Sequence, residues 1–420
     1  MIRPVCGLEV ELAACLESAF RQTYPRDKFS IRLCVESESD PAYPLLQKLV
    51  AQFPDVDGQV LVQEHDAEVH ARALGPNRKI RNLSRAYREA KDDVVWILDS
   101  NVWVGRNTAG RMVDQLMGMH ADGTRPRDGF KLVHQLPLAI DALSVAKPWT
   151  MESMWNHGGG RLDEMYLATT HAKFYSAINL VGVPCTVGKS NMFRKSDLDD
   201  ATACGYNPSG LTGLDYYSPF ICEDLLIGQM LSRLKRADVG NHAVLFGDLA
   251  IQPMGNLSVQ GYISRRVRWL RARKWDVLVA TTVEPGIECL VWSAYLIFAV
   301  RTLSLFETVI APTWAGMAGL WCGCMGVWAL VDRLVYAMLH SGLSIDVDEH
   351  TPAFASGALG SRRGLGEWIV AWLGREVLAL PIWIWAYYGP SVVTWRGKKF
   401  RIARDMTVVE DKATATVGSR

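Results

Sequence analysis

Four charged clusters follow or open apolar runs: Glu36-Ser37-Glu38-Ser39-Asp40-Pro41, Asp99-Ser100-Asn101, Glu223-Asp224 and Arg265-Arg266-Val267-Arg268-Trp269. A carboxylate such as Asp99 suits a hard divalent cation, which neutralises a departing diphosphate without moving a proton. Asp224 suits a general base for a hydroxyl, a poor nucleophile until its proton is taken. Glu223 is the neighbouring alternative; if the pair opens a helix over EDLLIGQMLSRL, their side chains point about 100° apart. Lys79, in Gly75-Pro76-Asn77-Arg78-Lys79, can meet a diphosphate as a point charge. Arg265, Arg268 and Trp269 fall at i, i+3 and i+4 on one helix face, where a guanidinium holds phosphate and an indole offers a platform for a sugar. Each feature alone has an ordinary explanation: Asp-Pro starts turns, a lysine opens a solvated helix, a lone cysteine packs in a core. His157-Gly158-Gly159-Gly160-Arg161 lacks the Lys-Ser/Thr of a phosphate loop.

Holding these groups requires α/β architecture. Residues 1 to about 255 alternate β-rich runs at 29–36, 59–64, 94–98 and 131–136 with helical patterns at 8–21, 42–52 and 79–91, the signature of a mostly parallel sheet. Two of the strands run into Glu36 to Asp40 and into Asp99, at the carboxyl edge where open α/β sheets bind ligands. The segment 256–285 is basic and Trp-bearing, with five Arg and one Lys between 264 and 275, and is expected to lie in a membrane interface. Apolar stretches at 287–306, 308–331 and 377–395 predict membrane helices over 286–395, separated by a polar, Gly-rich loop at 341–366. A basic then polar tail, 396–420, follows. Three full spans would put the two basic segments on opposite sides, so one stretch, the Arg301-bearing one, is expected to be re-entrant or interfacial. The 45 Lys+Arg against 44 Asp+Glu in 420 residues exclude the basic field of a nucleic-acid binder. Nine cysteines without metal-ligand spacing read as reduced thiols on the cytosolic side. A buried strand starting at Met1 suggests that a preceding segment is missing.

The order Asp40, Asp99, Glu223-Asp224, Arg265-x-x-Arg268-Trp269 resembles the D, D, D, (Q/R)xxRW signature of processive-type, inverting glycosyltransferases of family 2. More narrowly, CLESAFRQTYPRDKFSIRLCVESESDPA, GPNRKIRNL, VVWILDSNVWV, TTHAKFY, CTVGKSNMFRKSDLD, ICEDLLIGQML and WRGKKFRI are similar to the ceramide glucosyltransferase family, from Arg3 to about Arg404. Residues 121–128, 143–162 and 353–366 look like insertions of a fungal type. The resemblance implies a GT-A type domain that transfers glucose from UDP-glucose to the primary hydroxyl of ceramide with inversion. It selects Asp224 as base, adds Arg265, Arg268, Trp269 and His171 to the catalytic set, and assigns Pro4, Asp40, Lys79, Asp99 and Cys185 to the donor. Asp99 would hold Mg²⁺ or Mn²⁺, although Ser100-Asn101 replaces the common DxD. The implied partners are UDP-glucose, ceramide and the bilayer; the implied place is a multi-pass Golgi or endoplasmic reticulum membrane with the catalytic domain facing the cytosol. The alternatives are a related membrane glycosyltransferase using another UDP-sugar or lipid acceptor, and a non-catalytic scaffold that retains the fold.

Overall fold

The computed structural model describes residues 1–119, 129–142, 150–204, 207, 209–236, 239–306, 313–357, 363–395 and 397–411. Its centre is a seven-stranded sheet of β1 (Ile2–Pro4), β2 (Ser30–Val35), β3 (Asp57–Val62), β4 (Val94–Leu98), β5 (Phe130–Asp141), β6 (Ser190–Arg194) and β7 (Gly240–Met254), in the order β3-β2-β1-β4-β6-β5-β7. β1 to β4 run parallel, β6 is antiparallel to β4 and β5, and β5 pairs parallel with β7. This is the mostly parallel α/β sheet expected from the alternating runs. In β4, Val95, Trp96, Ile97 and Leu98 are all buried, because a strand covered on both faces is apolar throughout. The sheet edge order reverses between β1 and β4, so a crevice opens outside their carboxyl ends. The Asp40 and Asp99 turns follow β2 and β4 at that edge.

The flanking helices used by the site are α1 (Leu12–Phe20), α2 (Tyr43–Gln52), α3 (Arg78–Arg88), α4 (Gly159–Tyr166), α5 (Glu223–Arg233) and α6 (Val259–Arg273). One side chain ties the turn after β4 to its surroundings. Arg3, fully buried in β1, donates to the carbonyls of Cys15 (2.6 Å), Asp99 (2.8 Å), Ser100 (3.1 Å) and Val102 (2.6 Å). A guanidinium offers five donors in a rigid fork, so β1, α1 and the Asp99 turn are fixed together. Arg3→Met keeps apolar volume and removes all four bonds, and buried acceptors left unpaired cost about 1–3 kcal/mol each. We expect this variant to melt well below wild type in thermal unfolding of detergent-solubilised protein; an unchanged melting temperature would refute the role.

The C-terminal part carries α7 (Cys289–Thr302), α8 (Trp314–Leu339) and α9 (Leu365–Tyr388). α8 and α9 are long and apolar enough to cross a membrane, each with a mean hydropathy of 1.4 over its apolar window, and they mark the chain as membrane-associated. α7 has 14 residues, about 21 Å of helix, which falls short of a hydrocarbon core of about 30 Å. The third helix differs from the apolar stretch expected at 377–395: it starts at Leu365 and ends at Tyr388. Arg375 and Glu376 therefore sit inside it. Arg375 is paired with Thr170, Glu376, Glu288 (3.3 Å) and Asp332 (3.1 Å), and Lys173 adds a contact of 2.5 Å to Asp332. Partners inside the protein let a charge sit within an apolar helix, which a hydropathy reading takes for its end.

α9 is also fastened along its length to the sheet-bearing part. Before it, Arg363 meets Glu164 at 2.9 Å; in its first turn, Glu367 meets Arg161 at 2.7 Å. At its far end Arg271 donates to the Trp385 carbonyl (3.1 Å) and Lys274 to that of Tyr387 (2.6 Å). In place of a plain tail, β8 (Val392–Trp395), β9 (Lys398–Ile402) and β10 (Val408–Glu410) form an antiparallel sheet. Its Val393, Phe400, Ile402 and Val408 are buried against Cys222 and Ala272. The expected insertion at 121–128, residues 143–149 of the one at 143–162, residues 358–362 of the one at 353–366 and the end of the tail at 412–420 lie outside the described residues.

Candidate active site

Asp99 ends the buried β4 and takes a lysine on each oxygen: Lys79 Nζ at 2.9 Å from Oδ1 and Lys189 Nζ at 3.0 Å from Oδ2. Burial disfavours its charge, yet the two ammonium groups prevail and hold the carboxyl at about 2. Lys189 also donates to Asn101 Oδ1 at 3.2 Å. Lys79 opens α3, whose first turn is capped by Asn77: its Oδ1 accepts from the backbone N–H of Lys79 (2.9 Å) and Ile80 (3.2 Å). Asn77 reaches across with its amide nitrogen to Phe220 O (2.6 Å) and Glu223 Oε2 (3.1 Å), so the same residue sets α3 and the start of α5.

Glu223 and Asp224 do not divide between inside and outside. Both line the cavity that holds Lys79 and Gly188, and Glu223 pairs with Lys79 at 3.1 Å. Desolvation of the half-buried Asp224, with Glu223 adding like charge and Lys79 opposing, raises its carboxyl to about 6. Gly188 sits where a Cβ would lie 3.0 Å from Lys79 Nζ and 3.3 Å from Asp224 Oδ2, so a side chain there would crowd both charges. Thr186 Oγ1 donates to the Asp224 carbonyl at 2.7 Å.

α6 presents the second group. The Arg265 guanidinium lies 4.5 Å from the Trp269 ring centroid, as the i, i+4 spacing predicts, and Arg268 is half-buried on the same helix. Arg265 forms an ion pair with Asp163 at 3.1 Å and donates to Gln252 Oε1 at 3.3 Å. Asp163 is fully buried in α4, which approaches α6 closely enough that a Cβ on Gly159 would lie 2.0 Å from Ser258 O. Gly159 of the 157–161 run thus serves helix packing, and Gly160 gives room to the Asp141 carboxylate. Asp163→Asn leaves Arg265 a buried charge without its counter-ion, a loss of about 3–5 kcal/mol. We expect lower stability and weaker inhibition by UDP; normal values of both would assign the positioning of Arg265 to Gln252.

His171 is half-buried between Tyr166 and Tyr175, with ring centroids 5.7 and 5.5 Å away. Burial, then Arg266 and Arg273, lower it to about 3, so at neutral pH it is an uncharged imidazole. Burial raises the Cys185 thiol, and its backbone is tied to Asn179 by bonds of 3.0 Å. Asp40 accepts from the Gly7 N–H with both oxygens (3.0 Å) and from Ala42 N–H (2.8 Å), joining the loops after β1 and β2. Pro4 ends β1 in register with Cys34. The structure thus gathers Lys79, Asp99 and Asp224 around one cluster, Arg265 and Trp269 around another, and leaves Asp40 and Pro4 at the sheet edge in backbone contacts. Reading the sequence missed Arg3, Asp163, Lys189 and the pairing role of Glu223. Lys189 lies within the CTVGKSNMFRKSDLD stretch, but the resemblance assigns it no role, and Asp163 carries no motif; their partners are about 90 and 100 positions away.

Residues 1–408 match the family described as Glycosyl transferase family 21. The chain belongs to glycosyl transferase family 21. Curated relatives of this family-21 chain include a ceramide glucosyltransferase of Pyricularia oryzae, 50% identical over 98% of this chain and 85% of that protein. One of Gibberella zeae is 44% identical over 97% and 84%. Among solved structures, a mannosyltransferase from Pyrobaculum calidifontis in complex with GDP-Man and Mn²⁺ is 13% identical, with a TM-score of 0.39 over 92% of the family-21 chain and 86% of that chain.

Proposed function

We propose that the protein transfers the glucosyl group of UDP-glucose to the primary hydroxyl of ceramide with inversion, at a Golgi or endoplasmic reticulum membrane with the sheet-bearing domain in the cytosol. Membership of family 21 and relatives named ceramide glucosyltransferase support the reaction. The observation that carries the mechanism is that Asp224 lines the same cavity as Lys79, whose ammonium lies 2.9 Å from Asp99, with its carboxyl raised by desolvation and by Glu223. A carboxylate titrating near neutrality is matched to taking a hydroxyl proton as the oxygen attacks the anomeric carbon. Lys79, Lys189 and Arg265 meet the negative charge that gathers on the departing diphosphate. Trp269 offers an apolar face to the sugar.

A magnesium- or manganese-type ion fits the donors. Asp99 is ionised, its carboxylate keeps lone pairs beyond the two directed at lysines, and Asn101 Oδ1 shares Lys189 with it. Among the described residues no cluster of three His, Cys, Asp or Glu side chains could hold a metal unaided, so substrate phosphates would complete its shell. Bound there, the ion supplies charge neutralisation to the leaving group.

A panel of UDP-sugars tested against ceramide in mixed micelles decides the reading. Glucose transfer to the exclusion of other sugars is expected; no transfer from any donor favours the non-catalytic alternative. Protease treatment of sealed microsomes should digest residues 1–255, and their protection would reverse the orientation.

A further inference from the structure

The turn that carries His171 is wound more widely than an α-helix. Residues Leu167–His171 form a π-type turn between α4 and the helix Ala172–Leu180, a rare geometry found frequently at functional sites. The C-terminal helices hold it in place. Thr170, 4% exposed, accepts from Arg375 Nη1 of α9 and donates to Oε2 of Glu288, the residue before α7, at 3.4 Å. Lys173, two residues past the imidazole, reaches Oδ1 of Asp332 in α8, and its ammonium lies 4.7 Å from the Trp328 ring centroid. Trp372 Nε1 donates to Oδ2 of the same Asp332 at 2.8 Å. Glu288, Asp332 and Arg375 are all buried, so α7, α8 and α9 converge on residues to either side of His171.

A buried ion cluster is weak evidence of stability, because taking the charges out of water costs about as much as their attraction returns, and apolar residues of equal volume often do as well. The attested use of such buried charge is to select one geometry. Here the group beside it is the imidazole. His171 Nδ1 has no hydrogen-bond partner among the described residues, and the ring stands between two parts of the site. The charges of Arg266 and Arg273 act on it from α6, while Tyr175, 5.5 Å away, lies within the field of Asp224. An unpartnered ring nitrogen serves a substrate only when the backbone that carries it is held in register with the reacting groups. We infer that Thr170 and Arg375 are positioning residues for the transfer step: the hydrogen bond between them holds the π-type turn so that His171 meets the substrates, and the seating of α7 to α9 is thereby coupled to turnover. The inference rests on the function proposed above.

The test is a double-mutant cycle on the full-length protein in mixed micelles. Thr170→Val keeps the shape of the side chain and removes its hydroxyl. It should lower kcat about tenfold, the worth of a hydrogen bond to a charged group, with KM for UDP-glucose unchanged, and Thr170→Ser should restore turnover. Thr170→Ala also lacks the hydroxyl and carries the same expectations should the valine variant fail to fold. His171→Asn should lower kcat at least as far, and adding Thr170→Val to it should cost less than a further twofold, because the hydroxyl acts through the imidazole. An equal tenfold loss in both backgrounds, wild-type kcat in His171→Asn, or kcat within twofold of wild type in the hydroxyl-less variants overturns the inference. A wild type that transfers no glucose defeats the proposed reaction instead. Hydrogen–deuterium exchange at the His171 imidazole carbon then reads the positioning: faster exchange is expected in Thr170→Val than in wild type and Thr170→Ser, and equal rates in all three overturn it.

Discussion

Replacing Asp224 by Asn should lower glucosylceramide formation about 10²- to 10⁴-fold, the usual worth of a positioned general base. The amide keeps size and hydrogen bonding but cannot accept the proton. Binding of UDP-glucose should change little, because the diphosphate is assigned to Lys79, Lys189, Arg265 and the cation rather than to this carboxylate. The pH profile adds a second reading. Burial and the neighbouring Glu223 raise Asp224 to about 6, and only the deprotonated form can act as base, so wild-type turnover should rise as pH increases through about 6. Asp224→Asn should lose that limb. Both quantities are to be measured in one preparation: near-normal synthesis would move the base to Glu223, and lost nucleotide affinity would make Asp224 a donor-site residue.

Asp99→Asn should lower turnover by about 10³-fold, the several kcal/mol that a bound cation and its ligand contribute to a departing diphosphate. Residual activity should no longer respond to added Mg²⁺ or Mn²⁺, since an amide oxygen is a weaker ligand for a hard cation. The change also removes the anion shared by Lys79 and Lys189, so the lysines repel each other and a lower melting temperature is expected. Titration of metal against activity is the measurement. Wild-type activity in excess chelator would remove the cation from the mechanism and leave charge neutralisation to the lysines.

How far the sequence discloses this site depends on chain distance. β4 with Asp99 is legible because a buried strand is an unbroken apolar run that ends in the acid. α6 is legible because Arg265 and Trp269 keep helical spacing. Arg3 is not, since a lone cation in a three-residue strand offers no period, and its bonds go to backbone carbonyls nearly a hundred positions away. Asp163 hides for the same reason. The start of α9 is misread because the Arg375 cluster of internal ion pairs interrupts the hydropathy pattern. β8 to β10 escape because short strands of alternating charge and apolar residues, such as Lys398-Lys399-Phe400-Arg401-Ile402, resemble a solvated tail until Cys222 and Ala272 cover one face.

The attachment of α9 at both ends has a consequence for substrate supply. Its 24 residues make a rod about 36 Å long, and Arg161, Glu164, Arg271 and Lys274 hold it to one face of the protein from first turn to last. Laid flat, its outward Ile369, Leu373, Leu380 and Ile384 form a keel in the acyl region of a single leaflet. Nitroxide labels at Ile369 and Ile384 should then report equal immersion depth, and unequal depths would stand the rod upright. An enzyme moored flat in this way would draw on the ceramide of its own leaflet alone. When that pool ran low, the ceiling on glucosylceramide output would pass from the chemistry proposed at Asp224 to the rate at which ceramide flips from the far side.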